Sequence, residues 1–325
     1  MVVEYLADNN GRKCPQASLK THETWIGDLN PELKLKDLVL PGVHHHGMVE
    51  GSSHYVGSIG GVGSQKVLDW AVTQSLSVTH QLRTGARFLD VRLAEHEGKI
   101  YTAHGQEPFI NTIGVPFDQL LTEDIAFLKM HKKEFLVWSL RWEFGTPQWK
   151  QVDKILNKHK EHFYTLNVNP MGKQLLDLAG KILICKVGRD RSLVKYRHLP
   201  CKGSYDKTQE KDPVELVKKI KEYAKNPLHP KDEIFNFIEA VATTDAAGIV
   251  YSTNFLGLNT LTGVANDLKD LGCMTNKVLK EDFLTEENKP RTENFHAVMV
   301  DYSVYHNVIP GILELNKFKN QLLVS

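Results

Sequence analysis

Six residues that can move a proton or hold an anion recur at one kind of position, directly after a short apolar run. His44 follows the run ending at Leu40, Arg92 closes Phe88 to Val91, and His104 follows Tyr101 to Ala103. Arg141 follows Val137 to Leu140, Lys186 ends Ile182 to Cys185, and Asp301 ends Ala297 to Val300. Two histidines suit a general acid and a general base. Three cations and a carboxylate around them suit an anionic substrate whose transition state gains negative charge. Singly, each residue has a plainer reading: a structural histidine, an arginine in a salt bridge, or an aspartate capping the next helix. Six in the same topological position are hard to reconcile with six unrelated structural roles.

The elements that must position them alternate along the chain. Apolar runs at Leu35 to Leu40, Arg87 to Leu93, Lys99 to Ala103, Glu134 to Leu140, Lys181 to Lys186, Gly248 to Ser252 and His296 to Val300 read as strands. Between them, Phe117, Leu120, Leu121, Ile125 and Leu128 repeat at helical spacing, as do Leu216, Val217, Ile220 and Tyr223, and Leu261, Val264, Leu268 and Leu271. Strands alternating with helices over one unbroken chain predict an α/β fold with a parallel sheet and helices outside it. An eighth strand is not evident and is sought between Val194 and Lys211. No linker, repeat or composition shift divides residues 1–325, which read as a single domain. If the strands close into a barrel, the six strand ends converge on the face where barrel enzymes build their active sites. Two segments break the rhythm, the glycine-rich stretch Gly47 to Gly63 and the basic stretch 187–211, and both read as long loops.

Composition narrows the partners. The 325 residues are 41% hydrophobic and 24% charged, as expected of a globular chain with a sizeable core. Forty basic against thirty-nine acidic residues give a net charge of +1, which argues against nucleic acid as an electrostatic partner. No run approaches the ~18 apolar residues of a spanning helix, so any membrane contact must be made by a few loops. Cys14, Cys185, Cys201 and Cys273 have no CxxC or metal-ligand spacing and do not read as a disulfide framework; Cys185, inside an apolar run, reads as core. No basic region followed by an apolar stretch opens the sequence, so no secretory signal is read, and the compartment stays open.

At these residues the sequence resembles the X-domain family of phosphatidylinositol phospholipases C, both its short single-domain members and its bacterial enzymes. Pro41-Gly42-Val43-His44 resembles the family's Pro-Gly-Thr-His block. Trp70 to Gln74 and Gln81 to Arg92 resemble the stretch entering the second strand, Ala103-His104-Gly105 the block with the second histidine, and Val300-Asp301-Tyr302 the last strand. The blocks run from residue 25 to 318 in the family's order and are thinnest from 187 to 245.

The resemblance implies a distorted (β/α)8 TIM barrel. It also implies attack of the inositol 2-hydroxyl on phosphorus, releasing diacylglycerol and a cyclic phosphate. His44 is then the base, oriented by Asp301; Arg92 neutralises a phosphate oxygen, and His104 protonates the leaving oxygen. Arg141, Lys186, His45 and Tyr302 are the expected substrate-binding residues. His45 and His46 stand where the bacterial members usually have Asp-Ser, so His104 lacks its usual partner, and Asp90 or Glu143 is the expected replacement. Calcium-using members carry acidic residues at the second and fourth strand ends, where this chain has Arg92 and Arg141, so no metal cofactor is expected; calcium is the alternative. The three consecutive histidines read as a substituted loop position, because neighbours in an extended turn point different ways and one imidazole binds a metal weakly.

Apolar loop residues (Tyr55, Val56, Ile59 and Val62; Phe109, Ile113 and Val115; Phe255 and Leu256) suit docking to a phospholipid surface. Two other readings remain open on the sequence: an inactive inositol-lipid binding module, and a metal-dependent phosphodiesterase on the same barrel.

Overall fold

The computed structural model describes residues 5–7, 13–15, 21–57, 63–106, 110–165, 168–186, 196, 199–225, 233–243, 265, 267–285, 287 and 292–322. The strands are β1 (Tyr5–Ala7), β2 (Lys13–Pro15), β3 (Leu40–Val43), β4 (His54–Tyr55), β5 (Phe88–His96) and β6 (Lys99–Gln106). They continue with β7 (Ile110–Pro116), β8 (Leu136–Trp142), β9 (Ile182–Lys186), β10 (Leu199–Gly203), β11 (Phe235–Ala240) and β12 (Ala297–Val300). Seven of them close a ring of parallel pairings in the order β3-β12-β11-β10-β9-β8-β5 and back to β3. The α/β barrel read from the sequence is therefore present, with seven parallel strands among the described residues. The strand expected at Gly248 to Ser252 lies outside them, while β10 falls inside the segment where an eighth strand was sought.

Alternation along each strand explains the layering. Leu40, Phe88, Val137, Leu183, Leu199, Phe235, Phe237, Ala297 and Met299 come from all seven ring strands and form one buried cluster, which fills the lumen. Phe88 stacks 4.7 Å from Phe237 and 5.5 Å from Phe235, closing the barrel from below. Residues of the opposite parity, such as Leu89, Val91, Trp138, Ile182 and Ile184, pack outward against helices. Phe117–Met130 buries Phe117, Leu120, Leu121, Ile125 and Leu128, and Pro213–Lys225 buries Leu216, Val217, Ile220 and Tyr223, as their spacing predicted. Because the side-chain period of a strand is two, lumen parity continues upward from Phe88 to Asp90 and Arg92, and from Val137 to Ser139 and Arg141. It runs likewise from Phe237 to Glu239, and from Met299 to Asp301. Polar groups thus sit directly on an apolar plug.

Three expectations need correction. Lys99 to Ala103 is not a barrel strand: β6 folds back antiparallel on β5 and pairs with β7, so His104 reaches the site from a hairpin. The strand expected from Leu35 begins later, after a single 3-10 turn at Leu35–Asp37. Cys185 is buried but not a simple core thiol, since it forms a disulfide with Cys201 that joins neighbouring β9 and β10. Sequence spacing gave no hint of this, because the two residues meet only across the parallel register. Cys273 is also disulfide-bonded.

Candidate active site

At the top of β3 the chain makes a tight turn, and three successive histidines diverge from it. His44 donates its backbone N–H to Val300 O at 3.0 Å, which fixes the end of β3 against β12. Its carbonyl accepts from the Thr73 hydroxyl at 2.9 Å and from Gln74 Nε2 at 3.1 Å. Gln74 also donates to Val300 O at 3.2 Å and accepts from Ser303 at 3.1 Å, so one buried amide clamps both strand ends that carry the candidate base and its aspartate. His45 adopts a positive φ of 41°, and its ring packs edge-on to that of His44 at 4.1 Å. His46 turns down into the core between Gln81 and Asp124. The hairpin closes over this turn: Val115 donates to Gly47 O at 3.0 Å, and a Cβ on Gly114 would lie only 2.2 Å from that same oxygen.

His44 Nδ1 lies 2.8 Å from Asp301 Oδ1, and its Nε2 lies 3.0 Å from Arg92 Nη2. A guanidinium only donates, so Nε2 carries the lone pair and Nδ1–H donates to the aspartate. That is the tautomer a base needs. Arg92 also donates from Nε to Asp90 Oδ2 at 2.9 Å and from Nη1 to both Glu143 oxygens at 3.2 Å. Burial opposes its charge, but Asp90, Glu143 and Glu239 outweigh that and hold the guanidinium above its ordinary value. Arg141 Nη2 donates to Asp90 Oδ1 at 2.9 Å, and its Nε has no hydrogen-bond partner. Burial alone would push the Asp90 carboxyl up; Arg141 and Arg92 reverse the direction and hold it well below the carboxylate range.

His104 Nδ1 lies 2.7 Å from Ala71 O and must donate to it, which leaves Nε2 as the other ring nitrogen. Burial lowers its pKa, Glu143 opposes the shift, and His44 adds to it. The rings of His44 and His104 are 6.0 Å apart, with His45 between them at 4.1 and 3.9 Å. All three line a cavity of about 440 Å³ together with Arg92, Arg141, Glu143, Glu239 and Asp301.

The structure thus gathers His44, His45, His104, Arg92, Arg141 and Asp301 around one cavity. Two expected residues fall elsewhere. Asp90 does not line the cavity: it is fully buried beneath it, with both oxygens taken by arginines, so it is not the replacement partner of His104. Glu143 stands nearer that role, since its carboxylate favours the His104 imidazolium. Tyr302, expected to bind substrate, is buried at a positive φ of 43°, and its hydroxyl donates to Val72 O, away from the cavity. The side chain of Lys186 lies outside the described residues, as do Ile59, Val62, Phe109, Phe255 and Leu256. Ile113 and Val115 are packed inside rather than presented at the rim.

Glu239 was missed. It ends the run Phe235 to Ala240, whose apolar alternation was a readable strand signal. Burial pushes its carboxyl up, only partly countered by Arg141, which is 3.7 Å away.

No family model matches the chain. A 1-phosphatidylinositol phosphodiesterase of Listeria monocytogenes is 28% identical over 181 residues, 54% of this chain and 52% of that protein. The human PI-PLC X domain-containing protein 1 is 38% identical over 76 residues, 23% of each chain. The matched segment therefore spans about half the length of the first curated relative and less of the other. The phosphatidylinositol-specific phospholipase C structure from Listeria superposes with a TM-score of 0.63 at 22% identity, over 92% of this chain and all of that one. That of a Staphylococcus aureus phospholipase C mutant gives 0.64 at 17% identity, over 92% and 100%.

The chain has the fold of a phosphatidylinositol-specific phospholipase C. Of the two curated relatives, one is named a 1-phosphatidylinositol phosphodiesterase and the other a PI-PLC X domain-containing protein, in line with the sequence blocks. Within the phospholipase C fold, the seven-strand ring accounts for the polar ledge above the lumen. Among the described residues no helix is long and apolar enough to cross a membrane.

Proposed function

We propose that the chain, working as one barrel domain over residues 1–325, is a phosphatidylinositol-type phospholipase C acting on phospholipid at a membrane surface. The observation that carries this reading is His44, held by Asp301 on one nitrogen with its lone pair on the other, with the His104 ring 6.0 Å away on the same cavity wall. A phosphodiester bound in the cavity that these rings line would have its attacking hydroxyl on the His44 side and its leaving oxygen on the His104 side.

In the resting site Arg92 occupies the lone pair of His44. A bound phosphate draws the guanidinium onto a non-bridging oxygen, where the charge-assisted contact is stronger, and frees Nε2 for the inositol 2-hydroxyl. His44 takes the hydroxyl proton as the new P–O bond forms, and Asp301 stabilises the imidazolium. The P–O bond to glycerol breaks, and His104 delivers a proton to that oxygen, giving diacylglycerol and a cyclic inositol phosphate. Arg141 and Glu239, which line the same cavity, would hold ring hydroxyls. The Cys185–Cys201 disulfide suits an oxidising compartment.

Metal takes no part in this scheme. Calcium needs six or more oxygen ligands, while the Asp90 oxygens are already held by two guanidinium groups. Product analysis on labelled phosphatidylinositol, with and without a chelator, tests the whole reading. Cyclic inositol phosphate should form equally in both. Absence of turnover would leave a lipid-binding module, and loss of turnover restored by calcium would overturn metal independence.

A further inference from the structure

His45 is the one histidine of the cavity that the proposed proton transfers leave unused, and its ring has a defined but unmet need. Its Nδ1 lies 2.9 Å from the Ala103 carbonyl and donates to it, so the lone pair is on Nε2. That Nε2 is buried, in a residue only 1% exposed, and has no hydrogen-bond partner. An unmatched buried acceptor of this kind is destabilising, and a ligand that takes its lone pair would relieve that cost.

Two further donors face it. His104 Nδ1 is tied to Ala71 O, so its lone pair is also on Nε2, and the His45 and His104 rings lie 3.9 Å apart at 31°. The Glu143 carboxylate completes the group: one donor atom from each of His45, His104 and Glu143 lies within 4.8 Å of the others. We propose that His45, His104 and Glu143 form a binding site for a borderline divalent transition metal, Zn2+ in the first instance. Two imidazoles and a carboxylate are a donor set that zinc accepts, with a fourth position left to solvent or substrate. Zinc at 2.0–2.1 Å from each ligand needs donors roughly 3.3 Å apart, so side-chain rotations of about 1 Å close the site. The supporting contacts are in place, since both imidazoles donate their other N–H to a backbone carbonyl and Gly105 N–H holds Glu143 Oε1 at 3.3 Å.

A neighbouring set, His44, His45 and Asp90, is close enough by distance alone. There His44 engages Asp301 and Arg92, and each Asp90 oxygen is held by a separate guanidinium, whereas Glu143 meets a single guanidinium nitrogen, Arg92 Nη1 at 3.2 Å from both oxygens, and keeps lone pairs for a metal. The binding inference stands on geometry alone. Its consequence rests on the phospholipase reading, because a metal on His104 Nε2 occupies the atom that must carry the proton to the leaving group. Zn2+ is then an inhibitor competing for the general acid.

Isothermal titration of chelator-stripped protein with ZnCl2 tests the site. One ion per chain should bind, with calcium at the same concentration giving no heat. His45→Asn, chosen because asparagine tolerates positive φ, and Glu143→Gln should each weaken binding at least tenfold, while His44→Asn leaves it within twofold. Equal loss in His44→Asn, or full binding in either of the other two, overturns the proposal. Should a variant fail to fold, anomalous diffraction at the zinc edge on the unaltered protein decides. A peak bonded to both His45 Nε2 and His104 Nε2 supports the site, and its absence removes it. Zinc that binds as described to a protein that never turns over phosphatidylinositol would leave the metal site standing and refute the phospholipase reading.

Discussion

His44 and His46 lie two residues apart, and each meets a buried aspartate. His44 pairs with Asp301 at 2.8 Å, and its ring borders the cavity. His46 pairs with Asp124 at 3.2 Å with both side chains at zero exposure. The difference lies at the second nitrogen. His44 Nε2 meets a guanidinium that an incoming phosphate can draw away, whereas His46 Nδ1 meets Gln81 Oε1 at 2.8 Å. That glutamine is immobilised by its own amide, which donates to His46 O and Leu76 O. Asp124 in turn accepts from Trp138 Nε1 at 2.9 Å, and burial pushes its carboxyl up. A histidine–carboxylate pair is therefore not a catalytic sign in itself. One nitrogen must be held and the other exchangeable, and of the two pairs His44–Asp301 alone meets that condition.

The largest effects should come from trading one pair against the other. His44→Ala should reduce turnover by about 10² to 10⁴-fold, as for a lost base, with the melting temperature nearly unchanged. His46→Ala should do the reverse, destabilising the fold by about 3 kcal/mol through an unpaired buried carboxyl, while the remaining folded protein keeps its turnover. If thermal melts and initial rates show His46→Ala to be the inactive, stable variant, the assignment of the two pairs is wrong.

A smaller effect is expected at the contact that separates them. Arg92→Lys keeps the charge but loses the fork that meets Asp90, Glu143 and His44 together. Its kcat should fall by about 10–100-fold while KM changes little, because Arg141 still holds the ground state. A lowered melting temperature with unchanged kcat would make Arg92 a structural ion-pair residue instead.

The smallest effect is a displacement in pH. Burial depresses His104, and an acid must be protonated, so kcat/KM should decline as pH rises through a value below the ordinary histidine pKa of about 6.5. In kcat that limb should move to higher pH, because a bound phosphate favours the imidazolium. A limb above pH 7 in kcat/KM, or one that persists in His104→Gln, would remove His104 as the acid.

Strand and helix periodicity made an α/β fold with a parallel sheet legible, the family resemblance added the barrel, and the polar residue after each apolar run made most of the site legible. That pattern works because lumen parity carries the core upward into the site: Phe88 leads to Asp90 and Arg92, and Met299 to Asp301. What it could not resolve is depth. Asp90 and Tyr302 share the right motifs but lie one layer below the cavity or turned from it, and only the packing of arginines and of Val72 decides that. His104 looked like another strand end, yet its place depends on a hairpin that folds antiparallel across the rim. The resemblance singled out His44, but the fates of His45 and His46 were beyond the sequence, since identical side chains on one turn are told apart by backbone dihedrals and by the partners awaiting each ring. Residue type and period determined the alternation of strands and helices and the kind of chemistry; hydrogen-bond partners brought from distant strands decided which nitrogen is free to perform it.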